Sequence, residues 1–171
     1  DNGWKIDLDK LRAAITPKTK LLIVCSPSNP TGMVLGKEEV EAIAKLAEEH
    51  DFFIFADQAY EYLVYDGKQP ASFLAYPSIR DRLLVCYSFS KEFSMTGWRV
   101  GYLFAPENIL EQVQKVHDAF VLCAPTISQY AALVALTKKP NDDPEGMRAG
   151  LAAKRELTCK RPARRIWSTK A

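Results

Sequence analysis

Four short apolar runs constrain this chain more than any other feature in it. They are Leu21-Leu22-Ile23-Val24-Cys25, Phe52-Phe53-Ile54-Phe55-Ala56, Leu83-Leu84-Val85-Cys86-Tyr87 and Gly101-Tyr102-Leu103-Phe104-Ala105. A strand with one wet face alternates apolar and polar residues; these runs are nearly continuous, as strands covered on both faces are. Runs this short bounded by turn residues read as buried strands rather than helices. Parallel strands need crossovers, and the intervening segments are built for them. Val40, Ile43, Ala44 and Ala47 recur at helical spacing with Glu and Lys between them, which predicts an amphipathic helix. Further helices are predicted from about Pro106 to Phe120, with Ile109, Val113 and Val116 on one side, and from about Thr126 to Lys138. Near the start, Asp7 is placed to cap a short helix carrying Leu8, Leu11 and Ile15. The expected class is therefore α/β with a mostly parallel sheet and right-handed crossovers.

Composition narrows the class of molecule. With 171 residues, 47% hydrophobic and 26% charged, the chain has enough apolar material for one core, and disorder is excluded. The longest apolar stretch, Tyr130 to Leu136, is far below the ~20 residues of a membrane-crossing helix. Asp1-Asn2-Gly3-Trp4 carries no signal-peptide pattern and no initiator Met, so a piece of a longer chain is expected. Cys25, Cys86, Cys123 and Cys159 form no CxxC pair, so neither a metal site nor a disulfide framework is expected. Cys25, Cys86 and Cys123 lie in apolar stretches and read as small buried hydrophobes, in a reducing, cytoplasmic setting. Charge is uneven: residues 147–171 carry a balance of +7 and residues 1–146 a balance of −5. A basic end of this kind is more often a solvated face than a nucleic-acid contact, and no nucleic-acid partner is expected. Asn141-Asp142-Asp143-Pro144 signals a loop, and the helical pattern degrades after about Glu156.

Ligands of open α/β sheets gather at the carboxyl ends of the strands, so the residues following each run carry the functional argument. The first run is followed by Ser26-Pro27-Ser28-Asn29-Pro30-Thr31-Gly32, the second by Asp57-Gln58-Ala59-Tyr60, and the third by Ser88-Phe89-Ser90-Lys91. Lys91, just beyond an apolar strand, is a candidate for a partly desolvated, nucleophilic amine; its plainer reading is a surface lysine. Arg99, with Ser88 and Ser90 close in sequence, would suit a phosphorylated carbonyl compound; the plainer reading is a strand entrance with a structural ion pair. Asp57 ends an apolar run and calls for a cationic partner, a pyridinium N–H or a nearby Lys or Arg, unless it caps a helix. Tyr60 can aim its hydroxyl at the same region or belong to the core. Asn29 sits in a turn enforced by Pro and Gly.

The string Ser26 to Gly32, then Asp57-x-x-Tyr60, then Ser88-Phe89-Ser90-Lys91-Glu92-Phe93-Ser94-Met95-Thr96-Gly97-Trp98-Arg99-Val100-Gly101-Tyr102, resembles class I/II aminotransferases of pyridoxal-phosphate fold type I. The likeness covers about residues 5–140, in order and at the family's spacing, and the lysine segment is its specific part. It implies a three-layer α/β/α large domain. By the resemblance, Lys91 matches the lysine that holds pyridoxal 5'-phosphate as a Schiff base and moves the substrate proton. Asp57 matches the carboxylate that keeps the ring nitrogen protonated. Tyr60 and Asn29 match the groups that bond the ring's phenolic oxygen, and Ser88, Ser90 and Arg99 lie where the family grips the phosphate. The implied reaction transfers an amino group between an L-amino acid and a 2-oxo acid with ping-pong kinetics, in a homodimer when the protein is full length. The same scaffold also hosts carbon–sulfur lyases and cyclopropane-forming synthases; a non-catalytic effector module is the reading from a different class, and a nonfunctional remnant is a third.

Departures from the family pattern set further expectations. Residues 1–140 are expected to be the cofactor-binding part of a large domain, and residues 141–171 a divergent or truncated basic segment. Relatives usually carry Asp-Glu where this chain has Asp57-Gln58. Family members are roughly twice this size. The absent portions normally supply a phosphate loop, an aromatic residue stacked on the ring, and the arginine that clamps the substrate carboxylate. The run Cys159 to Arg165 is unlike the family's usual continuation, which predicts a truncated or frame-disrupted copy, or a fragment.

Overall fold

The computed structural model describes residues 4–138 and 144–160; of the predicted loop at 141–144, residues 141–143 lie outside the described residues, as does the part of the basic segment 147–171 beyond Lys160. Four strands form one sheet in the order β1 (Leu21–Cys25), β2 (Phe53–Asp57), β3 (Leu83–Ser88), β4 (Gly101–Phe104). The first three are parallel and β4 is antiparallel to β3. Six helices accompany them: α1 (Leu8–Ala14), α2 (Lys37–His50), α3 (Phe89–Glu92), α4 (Glu107–Phe120), α5 (Thr126–Lys138) and α6 (Pro144–Lys160).

Local signals set the helix ends. The Asp7 carboxylate accepts from the Lys10 backbone N–H at 3.0 Å and starts α1. Glu39 reaches back to the Gly36 N–H at 2.9 Å, satisfying a donor that the first turn of α2 leaves free. Asp51, at φ +54°, ends α2 in the left-handed region, and Arg82 bonds both its carboxylate (2.8 Å) and the Ala47 carbonyl (3.2 Å).

The predicted apolar face of α2 is the core. Val40, Ile43, Ala44, Leu46 and Ala47 are buried against Val24, Ile54, Ala56, Leu83 and Val85 on one face of the sheet. Each large side chain buried there contributes about 1.5–3 kcal/mol. The β2–β3 connection holds no α-helix; two 3-10 turns, Phe73–Ala75 and Pro77–Arg82, insert Phe73 and Ile79 into the same core. A second cluster joins α5 to the β3–β4 region. Ala132 and Ala135 pack on Phe89 and Met95, because small residues on that face of α5 permit close approach.

Three sequence expectations are corrected. The strands were expected to be covered on both faces, yet over β1 and β2 the second face is open among the described residues: Ile23 is 69% exposed, and Leu21 and Phe53 are exposed with it. The apolar side of α4 is not buried either; Val113 and Val116 are exposed, since no described element lies against them. Cys123, expected inside, is exposed in the turn after α4, while Cys25 and Cys86 are half-buried. Among the described residues no helix is long and apolar enough to cross a membrane.

Candidate active site

The turn after β1 is rigid by construction. Ser28 N–H bonds the Met33 carbonyl and Gly32 N–H bonds the Ser28 carbonyl, both at 2.8 Å, and Gly32 sits at φ +70°, where a side chain would be strained. The Ser26 hydroxyl accepts from Leu35 N–H at 2.9 Å and ties the far end of the turn back to the strand. This presents Asn29 outward, and its amide Nδ2 donates to the Tyr60 hydroxyl at 3.1 Å.

Tyr60 comes from the end of β2. Gln58 N–H extends the ladder to the Cys86 carbonyl at 2.9 Å, and Asp57 Oδ1 accepts from Ala59 N–H at 3.0 Å. These two bonds turn the chain sharply and aim Tyr60 toward the β1 turn. At the end of β3 the Ser88 hydroxyl accepts from Ser90 N–H at 3.2 Å, opening α3. One turn of helix then carries Lys91 so that its Nζ lies 5.8 Å from the Tyr60 ring centre, at the outer reach of a cation–π contact. Asn29, Tyr60 and Lys91, 62 positions apart in sequence at their extremes, thus meet across three strand ends.

The remaining candidates are placed differently. Ser90 is buried, and its carbonyl accepts from the Thr96 hydroxyl at 3.1 Å. Arg99, whose plainer reading is a structural ion pair, enters none among the described residues; it is exposed, with φ +53°, and its Nη1 donates to the Thr96 carbonyl at 3.0 Å. That left-handed residue swings the chain from α3 into β4. There Gly101 is required, because a Cβ would stand 2.5 Å from the Tyr87 carbonyl oxygen. Of the partners that the position of Asp57 calls for, a nearby Lys or Arg is not among the described residues, where Asp57 enters no ion pair.

Sequence reasoning missed several groups. Glu61 and Glu92 directly follow Tyr60 and Lys91, and both are half-buried. Burial, then the charge of Glu61, pushes the Glu92 carboxyl up to about 7, with the Tyr62 hydroxyl bonded to it opposing the rise. Burial likewise raises Glu61. Tyr87 and Tyr102, stacked at 4.9 Å between ring centres, are pushed up to about 12, first by burial and then by Glu61. The Gln58 side chain is buried, and its Oε1 has no donor among the described residues. A cavity of about 560 Å³ has Asn29 and Tyr60 on one wall and Asp66 and Arg155 on another. Arg155, from α6, bonds Asp66 through both nitrogens at 3.0 and 2.6 Å and lies over the Tyr65 ring. A residue on a segment predicted to diverge therefore helps to form the cavity beside the site. Neither Asp57 nor Lys91 lines it.

A lysine one turn beyond a parallel strand, facing a phenol and an amide from the two preceding strand ends, places the molecule among α/β proteins of fold type I. Solved structures agree: the chain matches an aromatic aminotransferase from Pyrococcus horikoshii OT3 with a TM-score of 0.88 at 36% identity, over 92% of this chain and 43% of that one. The chain belongs to the family described as aminotransferase class I and II, which it matches over residues 1–163. The match runs past residue 140, the expected limit of the likeness, through α6 and beyond. It is 40% identical over 162 residues to aromatic-amino-acid aminotransferase 2 of Thermococcus litoralis, covering 94% of this chain and 42% of that protein. It is 40% identical over 130 residues to kynurenine–oxoglutarate transaminase 1 of Mus musculus, covering 76% of this chain and 31% of that protein. The chain thus spans less than half the length of the curated relatives it matches.

Proposed function

We propose that this chain is the cofactor-lysine portion of a pyridoxal-phosphate-dependent aminotransferase acting on an L-amino acid and a 2-oxo acid. The observation that carries the reading is the meeting of Asn29, Tyr60 and Lys91 across three strand ends. The donor set fits the group: an amine for an aldehyde, a carboxylate without an internal cation for a ring N–H, a phenol paired with an amide for a phenolic oxygen, and hydroxyls with a guanidinium for a phosphate. When bound, pyridoxal phosphate supplies an electron sink for the electrons of a substrate Cα–H bond.

The chain's own residues have definite tasks in this reading. Lys91, half-buried on α3, would hold the cofactor through its Nζ, and the same amine would take and return the proton at a substrate Cα as base and then acid. Asp57 supplies the negative charge that holds a proton on the ring nitrogen. Asn29 orients the Tyr60 hydroxyl so that the phenol presents its remaining hydrogen-bonding capacity to the cofactor oxygen. Ser88, Ser90 and Arg99 hold the phosphate; Arg99 is exposed and spends one of its five N–H donors on the Thr96 carbonyl, which leaves the others for the anion. Residues 1–140 form the cofactor-binding part of the large domain, with 141–171 as a divergent or truncated basic C-terminal segment, and the full-length protein is a homodimer. The four free thiols fit a cytoplasmic setting.

Reduction with borohydride in the presence of pyridoxal phosphate, followed by digestion and mass spectrometry, tests the reading. The label is expected on Lys91; a label confined to other lysines overturns the assignment.

A further inference from the structure

Register aligns three side chains that no motif connects. Cys25 pairs with Asp57 and Asp57 pairs with Cys86, so the carboxylate at the end of β2 has a thiol on each side, on the same face of the sheet. Neighbouring strands lie about 4.8 Å apart, which sets the two cysteine backbones roughly 10 Å from each other, too far for a disulfide between them. Both thiols are free and half-buried. Cys25 donates its S–H to the Pro27 carbonyl at 3.3 Å, turning the thiol along the strand end. Asp57 takes its one side-chain hydrogen bond from Ala59 N–H and has no cation among the described residues. Its flanks are thus weakly polar sulfur rather than competing donors, and its charge is left for a ligand N–H.

We infer that Cys25 and Cys86 are the two side walls of the slot in which Asp57 receives the N–H of a planar heteroaromatic cation, and that a bound ring covers both thiols. The inference rests on the proposed function, because the pyridinium of pyridoxal phosphate is the ring of that class. Burial, and then the charge of Asp57, raises the Cys86 thiol; burial also raises Cys25, where the Asn29 backbone N–H opposes the rise and Asp57 adds to it, so both stand there as protonated walls and not as thiolates competing for the aldehyde.

Iodoacetamide mapping tests the inference on the full chain. Each reacting sulfur gains a bond to carbon, iodide leaves, and the thiol proton passes to the buffer. Modification at each of the four cysteines is quantified by mass spectrometry with and without pyridoxal phosphate fixed by borohydride. Loading is expected to slow Cys25 and Cys86 by about fivefold or more, leaving the exposed Cys123 and Cys159 unchanged as internal references. Label on Lys91 without protection of Cys25 and Cys86 overturns the inference and leaves the proposed function standing; label only on other lysines overturns both. A second arm needs no cofactor. Asp57→Asn, with folding checked by circular dichroism, removes the charge between the thiols and is expected to speed their alkylation about two- to threefold near neutral pH, again without effect at Cys123 and Cys159. Unchanged rates at Cys25 and Cys86 in that variant would contradict the flanking arrangement.

Discussion

Replacing Glu92 with Gln should stabilise the protein above neutral pH and leave it unchanged in acid. The carboxyl sits half-buried beside Glu61, with the Tyr62 hydroxyl bonded to it, Tyr102 close to both acids and Tyr87 close to Glu61. Its folded value of about 7 lies above its ordinary 4.5, so the folded state holds a proton that the unfolded chain releases. Stability associated with this group is therefore fully present below 4.5, falls as pH rises, and is lost once pH passes about 7. The full displacement would correspond to about 3 kcal/mol at most, and partial solvent access reduces the expected effect to about 1–2 kcal/mol. Gln is neutral at every pH and its amide oxygen can still accept from Tyr62. Urea unfolding of both proteins between pH 4.5 and 8.5 gives the test, read as the difference in free energy at each pH, which isolates this group from others that titrate. Coincident curves near pH 4.5 that separate towards pH 8, with the variant the more stable, are expected. Curves parallel across the range would refute the reasoning, because the carboxyl would then be ionised in the folded protein throughout.

Three further outcomes follow from the geometry. Ile43→Ala, at a fully buried position of α2, should lower unfolding free energy by about 2–5 kcal/mol in urea titration, since it leaves a cavity against the sheet. Gly101→Ala should destabilise by about 1–3 kcal/mol, because its Cβ meets the Tyr87 carbonyl oxygen and the backbone must shift; unchanged thermal unfolding would mean that β4 yields freely. Asn29→Ala removes the exposed bond to Tyr60, so stability should change by less than about 1 kcal/mol. Its affinity for pyridoxal phosphate, followed by absorbance titration, should fall about fivefold or more as the phenol loses its orienting partner.

What could be read from residues alone was the local part. Apolar runs of five located β1, β2, β3 and β4 to within a residue or so, Asp7 started α1, and Val40, Ile43, Ala44 and Ala47 are the buried stripe of α2. These features depend on neighbours within one or two turns, which the chain carries with it. The order of strand-end residues likewise led to the family. Tertiary structure decided everything that depends on what lies opposite. Only strand register sets Cys25 and Cys86 on either side of Asp57, and only the approach of α3 to the β2 turn sets Glu92 beside Glu61 and Tyr62. The apolar side of α4 and Ile23 of β1 look like core residues in sequence and are exposed, because periodicity states which face could be buried and not whether another element covers it. Arg155 bonds Asp66 across 89 positions for the same reason: that proximity is a property of packing, and no local pattern encodes it.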